Sequence, residues 1–72
     1  MAERKPPIPL TSQEREVLTL VARGYGTREI AQELGLTEGS LRSERQTIRN
    51  KLGVRSQVEA VAKAIRMGWI EP

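Results

Sequence analysis

Seventy-two residues suffice for one small domain, and the absence of His and Cys removes the usual general bases, thiol nucleophiles, zinc ligands and disulfides, so we expect no enzyme, metal site or cofactor. Aromatic residues are scarce and no apolar run approaches the roughly 18 residues of a membrane helix, so we expect a cytoplasmic protein with an aliphatic core of packed helices. The formal charge of +3 and a pI near 10 are a weak indication of nucleic-acid binding, which a merely solvated basic surface would share.

The N-terminal segment MAERKPPIP contains three of the four prolines, which predicts a flexible arm or linker at residues 1–9 before a domain at residues 10–72. Helix one is predicted to follow Thr11, because Thr11 and Glu14 have the spacing of a capping box. Gly24 is predicted to end this helix. We therefore interpret Glu14 as a capping residue and not as a catalytic acid or base.

A second, shorter helix is predicted from Arg28 to Leu34, with Thr27 as its N-cap and Gly35 as its end. The residues Gly35-Leu36-Thr37 are predicted to form a tight turn into helix three. Short helix, tight turn and longer helix together have the pattern of a helix-turn-helix.

Helix three is predicted at about residues 38–52. At about 100° per residue, Leu41, Ile48 and Leu52 lie on one line, which must face the core. The other side combines neutral hydrogen-bonding groups with flanking cations, and Glu44 and Arg45 lie nearer the core boundary. Its residues are Ser43, Gln46 and Asn50 in the centre, Arg42 and Arg49 on one flank, and Ser40, Thr47 and Lys51 on the other. This distribution is typical of a helix that enters the major groove of DNA, although a solvated helix with an excess of arginine is the simpler alternative.

Helix four is predicted at residues 57–67, with Ser56 and Glu59 as a capping box. It carries two apolar strips, which are Val58, Val61 and Ile65, and Ala60, Ala64 and Met67. One strip suffices for a terminal helix of a monomer, so the second indicates either a partner surface or a helix that is largely core. The following Trp69-Ile70 is expected to fold back onto the helices.

The chain resembles the DNA-binding domain of the LuxR/FixJ/GerE class of bacterial transcription regulators, from Leu10 to about Ile70. The residues that match this family in register are Leu10-Thr11, Glu14, Glu16-Val17-Leu18, Gly24, Glu29-Ile30-Ala31, Leu34, Lys51-Leu52-Gly53-Val54 and Glu59-Ala60. The resemblance implies an all-α, four-helix helix-turn-helix domain. It also implies that the third helix reads the major groove of double-stranded DNA and that the fourth forms a two-fold homodimer contact, at least on DNA.

Three groups of functional residues follow, each located at positions that match the family or the pattern above. The base contacts implied by the resemblance are Arg42, Ser43 and Gln46. The phosphate contacts are Thr27, Arg28, Thr37, Arg45, Lys51 and Arg55, to which the flank of helix three adds Arg49. The predicted dimer interface is Val58, Val61, Ala62 and Ile65.

The sequence departs from the family at Glu44, where histidine is frequent, at Gln13, which replaces a frequent arginine, and at Gly26. The Glu44 carboxylate has two candidate roles, accepting a hydrogen bond from cytosine N4 or holding Arg45 or another nearby arginine. These departures bear on the sequence preference of the domain and not on its fold.

An alternative function is a protein-interaction module that uses helix 57–67 to bind a partner or RNA polymerase. The two functions differ in their dependence on salt, because phosphate contacts weaken steeply as ionic strength rises. On the leading hypothesis the protein is a cytoplasmic, nucleoid-associated regulator, either stand-alone or the effector part of a larger one.

Overall fold

Four helices form the regular structure of residues 8–71, which are the residues that the computed structural model describes. They are α1 (Ser12–Ala22), α2 (Thr27–Leu34), α3 (Glu38–Leu52) and α4 (Gln57–Arg66). Since no strand occurs within residues 8–71, the predicted all-α, four-helix class is confirmed. Most of the predicted N-terminal arm lies outside the described residues.

The packing of the helices leaves one side of α3 free. Helices α1 and α3 each contact the three other helices, whereas α2 and α4 do not contact each other. Helix α3 is therefore supported by α2, α1 and α4, and the remaining side of its circumference faces outward.

Helix α1 begins with the predicted capping box. The Thr11 hydroxyl accepts the N–H of Glu14 at 3.1 Å, and the Glu14 carboxylate accepts the N–H of Thr11 at 2.8 Å. Glu14 is nevertheless only 2% exposed, which is unusual for a capping carboxylate. The helix ends at Ala22, and Gly24 adopts a φ of +91°, a conformation that a residue with a Cβ rarely adopts.

The start of α2 differs from the prediction that Thr27 is its N-cap. Gly26 is the N-cap, and its N–H donates to the Glu29 carboxylate at 2.7 Å. Thr27 is the first helical residue, so its hydroxyl is not used in capping and points toward α3. The prediction was wrong because Glu29 alone satisfies the N–H of an extended glycine, without a cap side chain.

The turn between α2 and α3 has the predicted form. Gly35 takes the left-handed conformation at a φ of +69°, and the N–H of Leu36 returns to the carbonyl of Ala31 at 2.8 Å. Thr37 then caps α3, because its hydroxyl accepts the N–H of Ser40 at 2.9 Å. The turn fixes the angle at which α3 leaves α2.

One aliphatic core joins the helices and includes the predicted line Leu41, Ile48 and Leu52 of α3. The other buried apolar residues are Leu10, Val17, Leu18, Ile30, Ala31, Ala60, Ala64 and Ile70. Because Leu41 and Ile48 are fully buried, the rotation of α3 about its axis is determined by the core.

Helix α4 separates its two apolar strips. Ala60 and Ala64 are in the core, whereas Val58 is 78% exposed and Ile65 and Met67 are exposed as well. Val61 packs partly against the core, but Val58 and Ile65 of the same strip are exposed, so this strip is mainly a surface feature.

Two details at the ends of α4 correct the sequence prediction. The helix ends at Arg66, with Met67 as its C-cap, one residue earlier than expected. Ser56 caps α4 as predicted, because its hydroxyl accepts the N–H of Glu59. The Glu59 carboxylate, however, accepts the N–H of Arg55 at 3.0 Å and not that of Ser56, so the capping box is incomplete. Beyond the helix, the backbone N–H of Trp69 donates to the carbonyl of Ala64 at 2.8 Å, which folds the C-terminal segment back onto α4.

Within the described part of the chain, no helix combines the length and the apolar character needed to cross a membrane.

Candidate nucleic-acid interface

The outward side of α3 carries the three predicted base-contacting residues together. Arg42, Ser43 and Gln46 are exposed, while Leu41 and Ile48 on the opposite side are fully buried. Among residues 8–71, the Arg42 guanidinium forms no ion pair. Because the opposite side of α3 is buried in the core, a guanidinium, a hydroxyl and an amide are exposed together on one face of the helix. Thr47 and Asn50 extend this face.

The flank of α3 next to α2 is occupied by two arginines. Arg45 donates from Nη1 to the Thr27 hydroxyl at 2.9 Å, which links the start of α2 to the middle of α3. Burial lowers the pKa of the Arg45 guanidinium, and the neighbouring charge of Arg49 lowers it further. The Arg45 Nε atom is buried without a hydrogen-bond partner. Neither arginine forms an ion pair within residues 8–71, so the Thr27–Arg45–Arg49 cluster is an uncompensated positive site.

Two further predicted phosphate-binding residues lie at the helix starts. Arg28 is 3.9 Å from the Glu38 carboxylate, but the pair is strongly exposed and contributes little to stability. Thr37 is exposed and donates its hydroxyl hydrogen to Ser40 Oγ at 3.0 Å. Arg55 is exposed in the connection between α3 and α4.

Lys51 lies on the other flank, beside α1, and is paired. Its ammonium donates to the buried Glu14 carboxylate at 2.9 Å. An ammonium has three donors, so Lys51 retains donors for a phosphate, but part of its charge is neutralised by Glu14. Lys51, for which a phosphate contact was predicted, thus also joins α3 to α1.

Glu44 is held by a residue of α1 and not by an arginine. Gln13 donates from Nε2 to the Glu44 carboxylate at 2.6 Å. No arginine forms an ion pair with Glu44 in residues 8–71, so the interpretation that it holds Arg45 or another nearby arginine was wrong. The physical reason is that Arg45 turns to Thr27 on the α2 side of α3, whereas Glu44 faces α1.

The two flanks of α3 are therefore electrostatically unequal. The α2 flank presents the unpaired Arg45 and Arg49, while the α1 flank combines a lysine that is paired with Glu14 and the carboxylate of Glu44. This asymmetry was not evident in the sequence, because both flanks of the helical wheel contained cations.

The predicted dimer residues lie together at the surface. Val58, Val61, Ala62 and Ile65 line a shallow groove of about 380 Å³ together with Val21 and Ala22 of α1. We call these six residues the α1–α4 patch. The contribution of Val21 and Ala22 from α1 was not predicted.

Sequence reasoning missed the long-range partners of the site. The pairs Glu14–Lys51 and Gln13–Glu44 join residues that are 37 and 31 positions apart. The sequence marked Glu14 as a capping residue but did not indicate that it is buried or that Lys51 is its partner. Nothing in the sequence paired Gln13 with Glu44, although both depart from the family pattern.

Comparison with known proteins agrees with this geometry. Residues 8–64 match the GerE family, described as bacterial regulatory proteins of the luxR family. The chain is 44% identical over 63 residues to the transcriptional regulatory protein DesR of Bacillus subtilis, covering 88% of this chain and 32% of that protein. It is 40% identical over 62 residues to the spore germination protein GerE of the same organism, covering 86% and 84% of the two chains.

The solved structure of the transcription factor GerE superposes with a TM-score of 0.86 at 31% sequence identity, over 90% of this chain and 97% of that one. The chain thus spans nearly the whole of GerE but only about a third of DesR. With a family match over most of its length and the same fold as a solved relative, the chain belongs to the luxR family of bacterial regulatory proteins.

Proposed function

We propose that this domain binds double-stranded DNA in a sequence-specific manner for a bacterial transcription regulator, with α3 in the major groove. Its membership of the luxR family supports DNA-binding transcription regulation. The observation that carries the proposal is the outward face of α3, where Arg42, Ser43 and Gln46 are exposed opposite a fully buried apolar side. On this proposal the protein acts in the cytoplasm, at the nucleoid.

The three exposed residues suit different base edges. Arg42 has a free guanidinium that can donate two hydrogen bonds to guanine O6 and N7. Gln46 has the donor and the acceptor that adenine N7 and N6 require, and Ser43 accepts several bases. We assign base recognition to these residues.

Phosphate binding is assigned mainly to the α2 flank. The Thr27–Arg45–Arg49 cluster places two cations and a hydroxyl beside each other without a carboxylate partner among the described residues. A phosphate group bound by both guanidinium groups would offset the repulsion between the two arginines. The other proposed phosphate contacts are Arg28, Thr37, Lys51 and Arg55.

The proposal is tested by titrating labelled duplex DNA with the domain at several salt concentrations and by selecting bound sequences from a random duplex library. The logarithm of affinity is expected to fall linearly with the logarithm of salt, with a slope of about −0.9 for each phosphate contact. The selection is expected to yield one sequence motif. Affinity that ignores both salt and sequence would contradict the proposal.

The Glu44 carboxylate is expected to weaken DNA binding, because it lies on the α1 flank where phosphates approach. Glu44→Gln removes the charge but keeps the length and an acceptor for Gln13. From the Coulomb energy of a solvated charge pair, affinity should rise about threefold to tenfold, on all duplexes alike. Fluorescence anisotropy on the selected duplex and on a scrambled one measures this change.

Glu33→Gln is the matched control for that substitution, because it removes an equal charge from an exposed residue of α2. Its effect should be clearly smaller. If Glu44→Gln instead lowered affinity and abolished a preference for one base, Glu44 would be a base contact and the repulsive role would be wrong.

We further propose that two copies of the domain pair through the α1–α4 patch when bound to DNA. The patch combines the strongly exposed Val58 with Ile65 and lines an apolar groove, a surface that a second copy would cover in an isologous contact. Two half-sites should then lie about one helical turn apart, roughly 10 base pairs. The alternative occupant of the same patch is a different protein, such as RNA polymerase.

Val58→Glu should abolish cooperative binding to a duplex with two half-sites, because it places a carboxylate in the apolar contact. Affinity for the double site is expected to fall about tenfold or more, toward the value for a single half-site, which itself should not change. Met67→Glu is the matched control, since it introduces the same charge at an exposed apolar residue outside the patch. Cooperative binding to the two half-sites that persists in Val58→Glu would show that the two copies do not pair through the patch.

A further inference from the structure

Gln46 is held by hydrogen bonds at both ends of its side-chain amide. Arg49 donates from Nη2 to Gln46 Oε1 at 2.8 Å. Gln46 in turn donates from Nε2 to Asn50 Oδ1 at 3.1 Å. Gln46 and Asn50 are exposed on the outward side of α3 and Arg49 lies on its α2 flank, so the hydrogen bonds run from the flank to the side that would meet bases.

These two hydrogen bonds determine the orientation of the Gln46 amide. A glutamine amide can be rotated by half a turn, which exchanges its oxygen and its nitrogen. A guanidinium can only donate hydrogen bonds. Arg49 can therefore bond to Gln46 in only one of the two orientations of the amide, the one in which the oxygen faces Arg49. The orientation of Gln46 is therefore set by Arg49, and the bond to Asn50 is consistent with it.

The groups of Gln46 that remain free match adenine. Its oxygen has two lone pairs and its nitrogen two hydrogens. The bonds to Arg49 and Asn50 occupy one lone pair and one hydrogen. One lone pair and one hydrogen are left. Adenine presents one donor at N6 and one acceptor at N7 in the major groove, so the remaining pair suffices for a two-bond contact.

Arg49 itself is held near Gln46 by its surroundings. It is half-buried, and it is close enough to Arg45 for the two charges to interact. Arg45 is bound to Thr27 on the α2 side. Repulsion between the two guanidinium groups favours a position of Arg49 away from Arg45, and the hydrogen bond places it on Gln46.

We propose that Arg49 and Asn50 are positioning residues that hold the amide of Gln46 in the orientation that selects adenine. This inference rests on the proposed function, because it concerns how α3 recognises a base. It replaces the phosphate contact proposed above for Arg49 and leaves Arg45 and Thr27 as the phosphate-binding members of their cluster. A side chain that is already oriented loses less conformational freedom on binding, so these hydrogen bonds should increase the discrimination between bases.

The two roles of Arg49 predict different results. A phosphate contact carries no sequence information, so its loss lowers affinity for all duplexes and reduces the salt dependence. A positioning residue affects one base position. Asn50 separates the roles more cleanly still, because it is uncharged and its removal leaves the salt dependence unchanged.

The experiment selects bound sequences from a random duplex library with the wild-type chain and with Gln46→Ala, Asn50→Ala and Arg49→Ala. The position at which Gln46→Ala loses its preference identifies the base that Gln46 contacts. Duplexes with each of the four bases at that position are then titrated with every variant. A two-bond contact gives the wild type a preference for adenine of about tenfold, and Asn50→Ala and Arg49→Ala are each expected to reduce it to about threefold or less.

Non-additivity provides the decisive result. In the Gln46→Ala background, Asn50→Ala should change no base preference, because it acts only through Gln46. Gln32→Ala is the control, since Gln32 is an exposed, uncharged amide on α2 and lies outside the outward face of α3. Alanine favours helix more than asparagine or arginine, and circular dichroism of each variant verifies that α3 is intact.

Two outcomes overturn the inference while leaving the proposed function intact. Either Gln46→Ala changes no base preference, or it does and both Asn50→Ala and Arg49→Ala retain the wild-type preference at that position. A wild-type chain that selects no sequence at all would instead overturn the proposed function.

Discussion

Glu14→Ala is expected to lower the free energy of unfolding by about 3 kcal/mol, because hydrogen bonds to charged groups contribute roughly 1.5–3 kcal/mol each. The buried carboxylate accepts two of them, from the N–H of Thr11 at 2.8 Å and from the ammonium of Lys51 at 2.9 Å. A domain of this size has a net stability of only ~3–5 kcal/mol. The variant should therefore be partly unfolded at room temperature. Urea unfolding followed by circular dichroism and by the fluorescence of Trp69, the single tryptophan, measures the change.

Acid should reveal the same contacts in the wild type. Burial raises the pKa of the Glu14 carboxyl, but the hydrogen bond and charge of Lys51 and the hydrogen bonds of Thr11 together lower it below its ordinary value. Since the pKa is lower in the folded state, the contribution of Glu14 is present above the unfolded pKa and is lost as the pH falls through the folded pKa. Lys51→Met removes both effects of Lys51, so the loss of stability on acidification that is due to Glu14 should be smaller.

Glu16→Ala is the matched control for the stability prediction. It removes a carboxylate from the same helix, but Glu16 is exposed, and such a substitution usually changes stability by less than about 0.5 kcal/mol. Equal unfolding curves for Glu14→Ala and Glu16→Ala would show that the buried contacts of Glu14 contribute nothing to stability.

Arg42→Ala is expected to reduce affinity for the selected duplex by about 10- to 100-fold, because a two-bond contact with guanine discriminates by about 1–3 kcal/mol. Arg42 is exposed on the outward face of α3 and forms no ion pair within residues 8–71, so no ion pair has to be broken before it binds a base. The preference for guanine at one position should disappear. Titration of duplexes that differ only at that position measures both effects.

Two variants distinguish base contact from simple loss of charge. Arg42→Lys keeps the charge but lacks the planar pair of donors, so it should retain salt-dependent affinity and lose most of the guanine preference. Arg66→Ala removes an equal charge from the last turn of α4, outside the helix-turn-helix, and should affect affinity little. If Arg42→Ala and Arg66→Ala weakened all duplexes equally, Arg42 would contribute only charge.

Local sequence patterns predicted the elements of the fold because those elements depend on neighbouring residues. The capping box at Thr11 and Glu14, the left-handed Gly35 and the cap at Thr37 each involve residues within four positions of one another. The buried line of α3 follows in the same way from helical periodicity. At Thr27 the local pattern was misleading, because Gly26 and Glu29 form the helix start without a cap side chain.

The family resemblance extended prediction from the fold to the site. It located Arg42, Ser43 and Gln46, which the structure exposes together on one face of α3. Their contacts with bases remain predictions. The partners that orient or neutralise the site could not be transferred, because Gln13 and Glu44 depart from the family and their contact is particular to this chain.

The sequence by itself determined the helices, the turn between α2 and α3, and the family of this protein, since caps, glycine turns and apolar periodicity are short-range properties. The tertiary structure decided which cations on α3 are free. Lys51 and Arg49 look alike on a helical wheel, but the packing of α1 places a buried carboxylate beside Lys51, whereas the packing of α2 leaves Arg49 with another arginine. The reason is physical: the electrostatic environment of a side chain depends on charges that are near in space, and these come from residues far apart in the chain.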